Sequence, residues 1–281
     1  MNSIFYELQR TFRSKFVLIM MGIIILVAAL IAYLLASGPA SVPVSQRSIT
    51  DEGLFNGVDS LFGFLIPILA IFMGYFTYGK DRTSGVLESV VTRPVTKSEL
   101  LVTRFIASII AILIAVVISV MLVDAGQMSY FRKGMPANMI AALIWIYFVE
   151  GASFIGLIYL FAHLVKSQSS LLGLAIALFI VFSLLWSTVS TIVLVEVFHG
   201  SISSLSTLQG QINFNFASPS GYGKNVAIYV THLVTLTSIA GTNIRVNPAS
   251  YGITELSVGA IGIIWMAVPI LLAFLLARKR D

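Results

Sequence analysis

Six long runs of apolar residues organise the chain: about Phe16 to Ser37, Ser60 to Tyr78, Phe105 to Val123, Met139 to Ala162, Ser167 to Val195 and Leu256 to Ala277. About 20 apolar residues carry an α-helix across a bilayer, and a backbone inside lipid must satisfy its own hydrogen bonds. The runs therefore predict an all-α polytopic membrane protein with six transmembrane helices. The alternating ten-residue segments of a membrane barrel are missing. The fifth run, 29 residues long, exceeds one membrane thickness and is expected to tilt, protrude or break near Ser187 to Ser190.

The polar intervals have patterns of their own. Ahead of the first run, Ile4, Leu8, Phe12 and Phe16 recur every four residues with Phe5 beside them, while Glu7, Arg10 and Arg13 take the other side. This predicts a helix over 1–15 lying in the membrane interface, apolar face down and charged face toward the headgroups. The pattern fits an anchor and a lever that touches a cytoplasmic partner equally well. The intervals at 38–57 and after the third run hold Pro39, Pro43, Gly126, Gly134 and Pro136, and read as irregular external connections. The segment 198–255 is too long for a simple connection. It is rich in Ser, Asn, Thr and Gly but includes the largely apolar stretch Val226 to Ile239, with His232 inside it. It reads as an extracytoplasmic segment with short helices, some dipping back into the membrane where protein shields their backbone. With no repeat of 20 to 50 residues, residues 1–281 form a single transmembrane domain.

Composition excludes the soluble alternatives. Of 281 residues 58% are hydrophobic and 10% charged, and the mean hydropathy is +0.97, whereas a soluble domain carries about a quarter charged residues. The absence of cysteine removes disulfide frameworks, thiolate metal sites and Cys nucleophiles. The net charge of +5 takes its meaning from placement. With the N-terminus in the cytoplasm, twelve of the seventeen basic residues fall inside: Arg10, Arg13, Lys15, Lys80, Arg82, Arg93, Lys97, Arg104, Lys166, Arg278, Lys279 and Arg280. The inside segments are also the shorter ones, so the positive-inside rule places both termini in the cytoplasm. The charge thus reports orientation in a cell membrane, and no nucleic-acid partner is expected, because such a patch needs its basic residues on one folded surface. The first run has about 22 residues, against 7 to 15 for the apolar core of a signal peptide, and is expected to stay as the first membrane helix.

The loop 79–98 is the most informative. Gly85 lets the chain turn out of the second membrane helix. Val86, Leu87, Val90 and Val91 then fall on one stripe with Glu88, Ser89 and Thr92 opposite, a short amphipathic helix. Arg93-Pro94 ends it, and Thr96-Lys97-Ser98-Glu99 matches the S/T-x-x-E capping box that opens the third membrane helix. The run SGVLESVVTRPVTKSELLVTRF resembles the loop of type-2 ABC transporter permeases, whose pattern is roughly SGTLE-lLLs-PVSR-elLLGKf. Ser84, Gly85, Leu87 and Glu88 match its first half, and Pro94, Val95, Ser98, Glu99, Leu100 and Leu101 its second, while Thr103-Arg104 replaces the usual Gly-Lys. The likeness is sharp over Gly79 to Phe105 and architectural elsewhere. It implies that Ser84, Gly85, Val86, Leu87, Glu88, Val90, Val91, Arg93, Pro94 and Glu99 form the coupling interface for a separate ABC ATPase. It further implies two ATPase copies, which hold ATP and Mg²⁺, a second permease subunit, identical or homologous, and export as the direction. No cofactor is expected in this chain, and the chain is not expected to be an enzyme by itself.

Other motifs are weaker. Gly74 to Asp81 fits G-x-x-x-x-G-K, but Asp81 stands where a phosphate-binding loop needs Ser or Thr, and the stretch is the aromatic end of a membrane helix. Gly151-Ala152-Ser153-Phe154 lacks the second glycine of a nucleophile elbow, and His163, His199 and His232 are too scattered for a metal motif. Glu150 is the single acid deep in an apolar run. A charge there costs about 2.5–3.5 kcal/mol on insertion scales, so Glu150 is a candidate for the translocation path, or else a protonated acid bonded through Ser153 or a hydroxyl elsewhere. Asp59, Asp124 and Glu196 are expected to reach water at the ends of spans. Ala107, Ala111, Ala115 and Ser119 predict a packing seam, as do Gly151, Gly156 and Gly173, and Tyr75, Phe76 and Tyr78 an interfacial aromatic belt. An autonomous channel or secondary transporter would show inverted repeats and broken helices in matching halves, of which only the isolated Pro67 and Pro269 are present. A membrane scaffold is the third class the pattern leaves open.

Overall fold

The computed structural model describes residues 2–36, 51–86, 96–193, 196, 205–236 and 242–279. A short helix α1 (Asn2–Arg13) is followed after Ser14 by α2 (Lys15–Ala36). The long α3 (Asp51–Thr83) contains a π turn at Tyr75–Gly79, α4 runs Lys97–Phe131, and α5 runs Ala137–Leu164. Next come α6 (Gln168–Leu184) and α7 (Trp186–Ile192), bent by 66° across Leu185. Beyond them lie α8 (Leu205–Asn215), α9 (Pro219–Thr231) and an antiparallel hairpin of β1 (Leu233–Leu236) and β2 (Thr242–Arg245) in the register Leu233↔Arg245. The last helix is α10 (Glu255–Arg278). By length and composition five of these helices can cross a membrane, or six if α6 and α7 count as one bent span.

Successive long helices reverse direction and define two ends. One, the basic end, carries α1, the end of α3, the start of α4 and the end of α10. The other carries residues 205–236 and 242–255 and is called the cap end. α5 is the most enclosed helix: Leu143, Ile146, Val149, Phe154, Ile155 and Ile158 are all fully buried, because α3, α4, α9 and α10 pack around it. α2 and α10 lie at the periphery and expose Leu26, Leu30, Ile263 and Leu271, as helices facing hydrocarbon do.

The structure moves several sequence-based boundaries. The second membrane helix starts at Asp51, not near Ser60, because Leu54, Phe55 and Val58 continue its buried face and Asp51 and Glu52 suit the positive end of the helix dipole. The third extends from Lys97 to Phe131 instead of 105–123. Gly126, expected in a loop, is helical and lets α4 touch α2: a Cβ there would lie 2.5 Å from the Ala32 Cα. Gly126→Leu is therefore expected to cost about 1–3 kcal/mol or more through overpacking, read as a lowered midpoint of thermal unfolding. A cost under about 0.5 kcal/mol would show that the helices separate freely. The bend in the fifth run falls at Leu185, two residues before the expected Ser187.

Among the small residues, Ala107, Ala111, Ala115 and Ser119 form the expected buried seam. Gly151 and Gly156 are in close contact, with added Cβ atoms at 2.9 Å from Ile112 and 3.2 Å from Pro269. Gly173 faces open space and packs against nothing. The described residues are helical almost throughout, as an all-α polytopic protein requires, with one small addition: His232, at φ 57°, caps α9, and Leu233–Leu236 follows it as a strand of the hairpin.

The segment α8–α9 enters the bundle from the cap end and returns. At its tip the Trp265 indole Nε1 donates to the Phe216 carbonyl at 3.0 Å, and Trp186 stacks on Phe214 at 4.9 Å. Ser220 lies against Glu150, thirteen residues into α5, about 20 Å from the start of that helix at 1.5 Å per residue. The short helices thus dip back to mid-depth. Tyr222 secures them, donating to the Val258 carbonyl at 2.8 Å and accepting from Trp145 at 2.6 Å.

Candidate functional site

Two buried polar clusters stand out, one at the basic end and one at mid-depth. The first begins with α1, whose apolar stripe is not its innermost face. Glu7 and Thr11 are buried against α4, while Phe5 is 70% exposed. The reason is Arg104, 3% exposed in the first turns of α4. Its Nη1 donates to Asp81 Oδ2 at 2.9 Å and to the Thr77 carbonyl at 3.0 Å, and its Nε faces Glu7 Oε2 at 3.6 Å. Arg10 completes the set, 3.0 Å from Asp81 and 3.6 Å from Glu7. Two acids and two bases balance, which is the condition under which charges tolerate burial. They join three elements that are distant in sequence: α1, the end of α3 and the start of α4.

Beneath this cluster the π turn Tyr75–Gly79 shifts the register of α3 and directs Thr77 and Tyr78 inward. Thr77 and Tyr159 share a hydrogen bond at 3.0 Å, Ser108 donates to Thr77 at 3.2 Å, and Tyr78 stacks on Tyr159 and bonds His163 at 2.8 Å. Tyr75 and Tyr78 are 8% and 1% exposed, so the expected aromatic belt is instead an internal contact, with Phe76 stacked on Phe16. Gly74 to Asp81 is helix and π turn rather than a phosphate-binding loop.

The coupling-loop residues divide. Ser84 caps the end of α3, its N–H donating to the Lys80 carbonyl at 3.0 Å, and Gly85 has φ +77°, the left-handed turn anticipated for it. Val86 is 47% exposed. Thr96 Oγ1 accepts from the Glu99 N–H at 3.2 Å, the first half of the capping box, and Glu99 itself is exposed. Leu87, Glu88, Val90, Val91, Arg93 and Pro94 lie outside the described residues. Ser84 follows Asp81 by three residues and Glu99 precedes Arg104 by five, so the Asp81–Arg104 pair joins the helix ends from which the loop leaves and returns.

At mid-depth Glu150 is 2% exposed and accepts a short hydrogen bond from Ser220 at the start of α9. Ser153 is taken by its own helix, donating to the Val149 carbonyl at 2.6 Å. Ser220 also meets Ser183 of α6 at 3.2 Å. Asp59 belongs to the same neighbourhood, with Tyr147, one turn from Glu150, donating to it at 3.4 Å. Lys224, one turn after Ser220, lies within electrostatic reach of both carboxylates. Glu150 was legible as a lone acid in an apolar run. Asp59, Tyr147, Ser220 and Lys224 were not, because they come from three separate segments and none is unusual in its own. Asp124, by contrast, holds the turn after α4 by accepting from the Met135 N–H at 2.6 Å, and Glu196 is exposed.

Among curated proteins none matches the chain. The family model described as ABC-2 family transporter protein matches residues 1–281, a family of multi-pass integral membrane permeases that associate with an ABC ATPase. The whole chain therefore belongs to the ABC-2 transporter family.

Proposed function

We propose that this chain is the permease subunit of an ABC exporter in the cell membrane, a single transmembrane domain whose basic end and both termini face the cytoplasm. It has no ATPase site of its own. Two permease subunits, identical or homologous, pair, and each seats Ser84 to Pro94 on one of two copies of a separate ATPase that binds ATP and Mg²⁺. The observation that carries this reading is the Glu7–Arg10–Asp81–Arg104 cluster. It spans the base of the loop and ties the loop to α1, so a push on the loop moves α3, α4 and α1 as one body.

The movement then has a route. α3 carries Asp59 and packs against α5, which carries Glu150. A shift of α3 moves Asp59 against Tyr147, one turn from Glu150, whose bond to Ser220 holds α5 to the re-entrant helices. Opening of that bond is the step by which the mid-depth region changes access from one side to the other, with Glu150 on the translocation path. A polar interaction deep in an apolar bundle suits this role, because its groups must find partners in each arrangement and the two states therefore stay distinct.

Co-expression with an ABC ATPase from the same genome tests the proposal. The wild-type chain is expected to retain the ATPase through purification and to transport only with ATP. Changing Leu87 and Val90 together to Asp places two charges in the apolar stripe and is expected to lower retention at least about tenfold, the loss of roughly 1.4 kcal/mol. Undiminished retention by that variant would refute the docking surface. Transport that needs neither ATP nor a partner would replace the reading with an autonomous channel or secondary transporter.

A further inference from the structure

A cavity of about 810 Å³ opens at the cap end between the first turns of α5, the last turns of α9 and the start of α10. It is separate from both polar clusters. Its volume falls within the range of about 300–1,000 Å³ typical of small-ligand sites. The walls are apolar, formed by Ala142, Val226, Val230 and Val258, with the Trp145 indole at the inner end. The polar lining groups sit toward the mouth, at helix ends or in the connecting loop: Asn138, His232, Asn247 and Glu255. From Asn138 to Trp145 is seven residues of helix, about 10 Å of depth, less than half of a hydrocarbon core about 30 Å thick. α10, which forms one wall through Gly259, exposes Leu256 and Ile263 around it as a lipid-facing helix does.

Charge selects the head of the ligand. Glu255 is the only carboxylate among the described lining residues, and no lysine or arginine lies among them. Tyr229 adds an aromatic ring to the same lining, and a carboxylate with an aromatic face is an arrangement that attracts an ammonium group. We infer that this cavity binds a single-chain amphiphile with a cationic amine head, the head at Glu255 and the chain running inward to Trp145 within the leaflet at the cap end. The apolar walls accept the chain by removing it from water, and the rim amides of Asn138 and Asn247 solvate the head.

Photolabelling of the full chain in lipid nanodiscs tests this with three probes whose chains match that depth: octylamine, octanol and octanoate, each ending in a diazirine. The amine is expected to label peptides within 138–145, 226–232 and 254–259 most strongly. Glu255→Gln removes one charge-assisted contact and is expected to lower amine labelling about tenfold while leaving alcohol labelling unchanged. Gly259→Phe fills the cavity and is expected to abolish labelling by the amine. A Cβ at Gly259 meets nothing within 4 Å, and helix propensity improves, so the variant folds, which circular dichroism verifies. Amine labelling that persists in Gly259→Phe would overturn the inference. So would octanoate labelling as strong as the amine, no labelling by any probe, or cross-links at these peptides to a second copy of the chain in place of the probe.

Discussion

Arg104→Met is expected to destabilise the protein by about 3–5 kcal/mol, the cost of removing one partner from a buried ion pair, and to uncouple ATP hydrolysis from transport. Arg104 is 3% exposed and meets Asp81, Glu7 and the Thr77 carbonyl. With it gone, Glu7 is left buried with only Arg10 at 3.6 Å, and Arg10 is 45% exposed. That remaining pair is largely screened by water. The stability loss is mostly the penalty of the stranded Glu7 carboxylate, since Asp81 keeps Arg10 at 3.0 Å. The triple variant Arg104→Met, Glu7→Gln, Asp81→Asn is therefore expected to recover most of the lost stability.

Coupling should behave differently, and this separates the two roles. The triple variant regains a folded bundle but not the ionic link between α1, α3 and α4. ATPase stimulation by substrate is expected to stay lost while the thermal unfolding midpoint returns toward wild type. A triple variant that transported normally would remove the cluster from the coupling route and leave it a purely structural device. A single Arg104→Met variant within about 1 kcal/mol of wild type would mean that the carboxylates find water, contrary to the burial of Glu7.

Glu150→Gln is expected to lower transport at least about tenfold, equivalent to about 1.4 kcal/mol in the barrier, with stability within about 1 kcal/mol of wild type. The amide keeps the shape of the acid and can still accept from Ser220, so the tie between α5 and the re-entrant pair survives. What is lost is the ability to carry charge or exchange a proton opposite Asp59 and Lys224. Glu150→Leu removes the hydrogen bond as well and leaves Ser220 with Ser183 alone. It is expected to lose transport and about 1–3 kcal/mol of stability. Asp59→Asn, which keeps a partner for Tyr147, should fall between wild type and Glu150→Gln in transport. Unchanged transport and ATPase coupling in Glu150→Gln would reduce Glu150 to a packing residue.

The membrane character, the number of apolar runs and the loop motif were legible because each depends on neighbours in sequence. Twenty apolar residues in a row need no tertiary context to be insoluble. Gly85 and Thr96 act within a turn of themselves, and the structure finds both doing what their local pattern indicated. The seating of α1 depends on more than its own pattern. Its stripe of Ile4, Leu8 and Phe12 has the right period, but the period says only which residues share a side. Which side meets the bundle involves a partner nearly a hundred positions away: Arg104 faces Glu7 on the side packed against α4, and Ile4 and Phe5 lie on the outer side, where a membrane interface would meet them.

The same division runs through the mid-depth cluster. Glu150 was conspicuous because charge is scarce around it, and sequence alone established that it needs a partner. Its partner Ser220 is one serine among many in a polar segment. Only the return of α8 and α9 into the bundle brings it there, and that path is set by close approaches such as Gly262 against Tyr222 and Gly223 against Ile146. Tyr75 and Tyr78 likewise have the composition of an interfacial belt, and a one-residue π insertion turns them inside. Hydrophobic run length is a one-dimensional property, so the sequence by itself determined that this chain belongs in a membrane, with about six crossings and a motif-bearing loop. Which charges meet is a three-dimensional one, and the tertiary structure alone decided that four of them lock the base of that loop and that a re-entrant serine answers the buried acid.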